Sequence, residues 1–151
     1  MFVLYFGGQK SGKSKLAEQK AIKLSKTKPY YIATYDNKYG DDEMIQRVQK
    51  HQIQREDKFI TIEQMQDLTK VIKENETYLI DCISMWIFNN INQNEDILLQ
   101  QLSTLSKLNT NIVFVLNDIG SSIVPLEKQT RKFVDLTGTI GQKLTSFCNE
   151  V

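Results

Sequence analysis

The chain is poor in the residues that build special scaffolds. Its 151 residues include two cysteines, two prolines, one tryptophan and one histidine. Cys82 and Cys148 form no CxxC pair and have no histidine nearby. That excludes a disulfide framework and a cysteine-based metal site, and it fits a reducing compartment. No apolar run approaches membrane-spanning length. The opening Met1 to Phe6 is apolar, but it lacks a charged lead and passes straight into a polar motif, unlike a signal peptide. A charge excess is missing too: 19 basic and 18 acidic side chains leave a net charge of +1, which takes weight from nucleic acid as a partner. No low-complexity linker or repeat interrupts the chain. The expectation is a single domain over residues 1–151, soluble and cytoplasmic, with no membrane span.

What is present is an ordinary globular composition, 40% hydrophobic and 25% charged, long enough to bury a core. Apolar segments alternate with amphipathic ones. Short β-branched and aromatic runs predict strands at 2–6, 30–34, 59–62, 78–81 and 112–116. Helical spacing predicts helices over 13–26, from the acidic start at 41–43 to about 54, over 65–73, 86–91 and 97–108, and about 127–148. Alternating strands and helices imply crossovers and an α/β fold with a mostly parallel sheet.

Between the first strand and the first helix stands Gly7-Gly8-Gln9-Lys10-Ser11-Gly12-Lys13-Ser14, which fits G-x-x-x-x-G-K-[ST] at every fixed position. Glycines let the backbone fold tightly, so several N–H groups converge on phosphate oxygens, and the following helix adds the positive end of its dipole. Lys13 is expected to reach the β- and γ-phosphates, and Ser14 to sit on Mg²⁺. Such a loop defines a P-loop nucleotide phosphotransferase. The metal needs a carboxylate, and Asp81 ends an apolar strand where the ligand crevice of a parallel sheet lies. A strand-end aspartate also caps helices, so both roles stand for Asp81. The cluster Lys10, Lys13, Lys15, Lys20 and Lys23 reads as a solvated helix face beside the loop.

Further strings follow in order: Tyr31-Ile32-Ala33-Thr34, Asp41 to Met44, Arg47 to His51, Asp81 to Asn89, Asn117 to Pro125 and Arg131 to Gly138. Together with GGQKSGKS they resemble the bifunctional adenosylcobinamide kinase/adenosylcobinamide-phosphate guanylyltransferase family of cobalamin biosynthesis, over nearly the whole chain. Gln52 and Glu56 depart from the family's H-R-x-x-R-P pattern, and Phe59 stands in place of a tryptophan. Ser122 stands where a glycine is common, and Gly141 where an asparagine often stands. The family's last apolar strand has no counterpart after Asn149-Glu150-Val151. An uncovered sheet edge is therefore expected.

The resemblance implies two reactions. A nucleoside triphosphate, ATP or GTP, phosphorylates adenosylcobinamide; GTP then donates GMP to the product through a guanylyl-histidine. His51, the sole histidine, is the implied nucleophile, and neutral imidazole suits that role. Also implied as nucleotide contacts are Thr34, Tyr35, Asp36, Gln52, Ile53, Gln54, Arg55, Glu63 and Asp81. Arg131 is a candidate phosphate contact or a solvated helical arginine. The family further implies a corrinoid substrate and a homotrimer. Two other classes stay open: a different small-molecule P-loop kinase, although no arginine-rich lid is evident, and a non-catalytic GTP-binding module.

Overall fold

A computed structural model describes residues 1–35, 42–118 and 127–151. Asp36, Asp41 and most of the string from Asn117 to Pro125, Ser122 included, lie outside the described residues. Five strands form one parallel sheet: β1 (Phe2–Gly7), β2 (Tyr30–Ala33), β3 (Ile60–Glu63), β4 (Thr77–Asp81) and β5 (Asn111–Asn117). Their spatial order is β1-β5-β4-β2-β3. The helices are α1 (Lys13–Leu24), α2 (Asp42–Arg55), α3 (Ile83–Asn89), α4 (Glu95–Ser106) and α5 (Lys128–Phe147).

The central strands β4 and β5 are near-continuous apolar runs because both sheet faces are covered. Strand alternation sends Leu4, Ile80, Ile112, Phe114 and Leu116 to one face, where they meet Trp86 and Ile87 of α3, Leu102 of α4 and Ile140 and Leu144 of α5. The alternate residues Val3, Tyr31, Leu79, Val113 and Val115 face Ala17 and Ala21 of α1. Two small residues one turn apart let α1 lie close on the sheet, with both fully buried.

The expected helix over 65–73 is instead a single 3₁₀ turn, Leu68–Lys70. Side chains take up backbone donors along the segment, and those of Leu68, Thr69 and Lys73 are ones that a helix would use. Gln64 accepts from the N–H groups of Gln66 and Asp67, Asp67 from Thr69 N–H, Gln101 from Leu68 N–H, and Tyr78 from Lys73 N–H. Trp86 fixes the segment further by donating from Nε1 to the Gln66 carbonyl at 2.6 Å.

The edge strand β1 is partly covered by the closing residues. Glu150 makes a parallel bridge to Val3, Leu4 N–H donates to the Glu150 carbonyl at 2.9 Å and Asn149 N–H to the Phe2 carbonyl at 2.7 Å. Lys20 of α1 pairs with the Glu150 carboxylate at 2.8 Å. Among the described residues no helix is long and apolar enough to cross a membrane.

Candidate active site

All five strands point their C-terminal ends the same way, so Gly7, Ala33, Glu63, Asp81 and Asn117 share one edge of the sheet. Ala33 is in register with both Glu63 and Asp81. Chain leaving β1 at this edge enters the glycine-rich loop. Gly12 has φ +86° and Lys10 φ +55°; at Gly12 the left-handed backbone strains any residue with a Cβ. These turns bring the loop round into α1. Lys13 is nearly buried and its Nζ donates to the Gly8 carbonyl at 2.8 Å. The ammonium is thereby held within the loop.

Ser14, in the first turn of α1, and Asp81, at the end of β4, border the same cavity. Burial pushes the Asp81 carboxyl above its ordinary value, while Ser14, Arg55, Lys13 and His51 pull against that rise. Its backbone is fixed as well, since Tyr31 Oη donates to the Asp81 carbonyl at 3.3 Å. Asp81 gives no side-chain cap to α3; the residue at that helix's N-cap is Cys82, whose side chain makes no capping bond. The helix-cap alternative therefore drops out. Burial, with Asp81 next in line, pushes the Cys82 thiol up to about 11, so it is an inert neighbour rather than a nucleophile.

Ser14 and Asp81 border a cavity of about 470 Å³ also lined by Lys15, Glu18, Tyr31, Ala33, Thr34, Tyr35, Val48, His51, Gln52, Gln54 and Arg55. Eight residues expected at the site thus meet in one cavity: Ser14, Thr34, Tyr35, His51, Gln52, Gln54, Arg55 and Asp81. Ile53 does not join them. It is 68% exposed and points elsewhere on α2. Glu63 lies at the same sheet edge but outside the cavity lining. Arg131 lines a separate cavity of about 640 Å³ with Lys128 and Lys132.

Thr34 is fully buried, and its hydroxyl is already engaged. It donates to the Cys82 carbonyl at 2.8 Å and accepts from Cys82 N–H at 3.2 Å. Asn89 donates to the Thr34 and Met65 carbonyls. In the string Asp81 to Asn89, then, Asp81 faces the cavity while Trp86 and Asn89 tie the loops beneath it.

Two contributors were not anticipated from sequence. Tyr31 carries the Arg55 guanidinium over its ring, 3.8 Å from the centroid. Glu18 places Oε1 3.9 Å from Arg55 Nη1. Desolvation raises the Glu18 carboxyl above its ordinary value, against the opposing pull of Arg55. The i, i+4 spacing of Ser14 and Glu18 on α1 was the available signal.

A phosphate loop running from a parallel strand into a helix, with a hydroxyl and a carboxylate on the cavity at its mouth, defines a P-loop nucleotide-binding protein of the phosphotransferase class. Comparison with known proteins narrows this. Residues 3–151 match the family model described as cobinamide kinase / cobinamide phosphate guanyltransferase, and the chain belongs to that family. The bifunctional adenosylcobalamin biosynthesis protein CobU of Escherichia coli strain K12 is 30% identical over all of this chain and 93% of its own length. CobP of Pseudomonas aeruginosa, with the same description, is 31% identical over 98% of this chain and 89% of its own.

Proposed function

We propose that this chain catalyses both family reactions, phosphorylation of adenosylcobinamide and guanylyl transfer to adenosylcobinamide phosphate, using one nucleotide cavity. The observation that carries the reading is the meeting of Ser14, Asp81, Arg55 and the sole histidine, His51, around a single cavity at the end of the phosphate loop. In the first step the aminopropanol hydroxyl of the corrinoid attacks the γ-phosphorus of ATP or GTP. The nucleoside diphosphate leaves and the hydroxyl proton passes to solvent. Lys13 and the loop N–H groups from Gly7 to Ser14 balance the phosphate charge.

In the second step a His51 nitrogen attacks the α-phosphorus of GTP. The bond to the bridging oxygen breaks and pyrophosphate departs. A phosphate oxygen of adenosylcobinamide phosphate then displaces the imidazole, forming the diphosphate product and freeing His51. Tyr35, Asp36, Gln52 and Gln54 belong to the same reading as nucleotide contacts, as do Ile53 and Glu63 by resemblance. Thr34 acts there through its backbone position, because its hydroxyl is taken.

Mg²⁺ fits the Ser14 hydroxyl and Asp81 carboxylate, a hard oxygen donor set on one cavity. No group of three or more His, Cys, Asp or Glu side chains able to hold a metal occurs among the described residues. That suits an ion which takes one or two protein oxygens and completes its shell with phosphates and water. When bound it neutralises phosphate charge. The cytoplasmic setting and the trimer are part of the proposal.

The test is intact-mass analysis after incubation with GTP and Mg²⁺. The protein should gain one GMP, with the adduct labile in acid and stable in mild base as a phosphoramidate is. The His51→Ala protein should gain nothing. An adduct that persists in His51→Ala overturns the assignment of the nucleophile.

A further inference from the structure

The helix that carries His51 is weakly seated. None of the α2 side chains described is buried. His51 itself is exposed, so packing around it does not set where the imidazole stands. Fixation comes at the helix's last residue. The Arg55 side chain is only 12% exposed and its guanidinium carbon stands over the Tyr31 ring of β2, 3.8 Å from the centroid. Its carbonyl accepts from Lys58 and Phe59 N–H at 2.9 Å each, closing the helix onto the chain that enters β3.

A guanidinium this buried needs a counter-charge. Arg55 Nε has no hydrogen-bond partner, and the one ion pair of Arg55 among the described residues is to Glu18. At 3.9 Å this is an ion pair and not a hydrogen bond, so geometry leaves donors of Arg55 available to a second anion. Glu18 stands one turn beyond Ser14 on α1, the helix that begins at the phosphate loop. His51 stands one turn before Arg55 on α2, and both line the cavity.

We propose that Glu18 is a positioning residue for guanylyl transfer: its carboxylate holds Arg55 against Tyr31 and so fixes the His51-bearing end of α2 to the P-loop helix. The proposal rests on the reading of His51 as the guanylylated residue. Glu18 makes no ion pair with His51, whose charge it feels least among its neighbours; its contact is with Arg55. The corrinoid phosphorylation, which uses no covalent enzyme intermediate, depends on it less.

The experiment measures single-turnover His51 guanylylation and steady-state cobinamide phosphorylation in the wild type, Glu18→Gln, Arg55→Gln and the double variant, with melting temperatures for each. Gln keeps the size of Glu18 and removes the charge. Displacing a nucleophile by about 1 Å costs on the order of 100-fold. Glu18→Gln should therefore slow adduct formation at saturating GTP at least about tenfold more than it slows phosphorylation. In the Arg55→Gln background the same change should have less than about a twofold effect, because the link is already broken. Equal loss of both reactions alongside a lower melting temperature makes Glu18 merely structural and overturns the proposal. Additive losses in the double variant also overturn it, as does an unaffected Glu18→Gln. A wild type that takes up no GMP overturns the His51 reading and this proposal with it, whereas a labelled wild type with an unaffected variant overturns the positioning role alone.

Discussion

Asp81 is a half-buried carboxylate, with desolvation as the dominant influence on its protonation. That arrangement costs stability and suits a group that waits for a cation. An acid whose folded pKa is raised holds a proton that the unfolded chain has already released. Between the ordinary and the raised value, the nucleotide-free protein therefore loses stability as pH rises. Asp81→Asn removes the ionised form while keeping the shape of the side chain. The variant should melt no lower than the wild type at neutral pH and should lose less stability across that window. Its Mg²⁺-dependent turnover should fall about 100-fold, in line with loss of one charge-stabilising group. Calorimetry from mildly acidic to neutral pH and metal titrations of turnover check both halves. Superimposable metal titrations would remove Asp81 from the cation site. At this scale the sequence was informative where a motif was complete, as at Gly7 to Ser14, and silent where partners lie far apart in the chain. Tyr31 reads as a core strand residue, and only the tertiary placement of Arg55 on its ring reveals a second use.

Elements were legible where local pattern and tertiary role agree. The strands are short apolar runs, buried at the centre of the sheet and largely exposed at its β3 edge, and each lies within a residue or two of its expected place. The segment 65–73 failed because its apolar spacing does satisfy a helix, while Asp67, Gln101 and Tyr78 capture backbone donors that the helix would need. Asp67 lies in the segment, but Tyr78 and Gln101 reach it from β4 and α4, which local spacing does not show. α1 shows the opposite case, with sequence and position in agreement. Ala17 and Ala21 are fully buried against the sheet, so its distance from the strands is set by two methyl groups. Ala17→Leu forces three extra carbons into that contact and should destabilise the protein by about 1–3 kcal/mol. Because the same helix carries Lys13, Ser14 and Glu18, nucleotide affinity should weaken with it. Urea unfolding and nucleotide titration test this together; an unchanged midpoint would mean that the seam beneath α1 has room to spare.

The whole molecule separates support from chemistry. Core packing against α3, α4 and α5 occupies one sheet face, the P-loop helix lies on the other, and the strand ends meet the cavity between them. Both proposed reactions then share one phosphate cradle and differ in the phosphorus attacked, γ or α, and in whether the imidazole intervenes. Lys13 belongs to the shared part: its ammonium is drawn inside the loop by the Gly8 carbonyl, and either transfer must balance charge on the same triphosphate. His51 belongs to one reaction alone and sits on an exposed helix whose loss of one ring disturbs no core contact. Lys13→Ala should therefore reduce both phosphorylation and guanylylation by at least about 100-fold with an unchanged far-ultraviolet circular dichroism spectrum. His51→Ala should abolish the adduct and the transfer of GMP while phosphorylation stays within about twofold of the wild type, because that step forms no enzyme bond. Parallel assays on one preparation of each variant decide the matter. If Lys13→Ala spares either reaction in a folded protein, the two transfers do not share the loop. If His51→Ala stops both, the histidine serves the cavity as a whole and the division of labour proposed here is wrong.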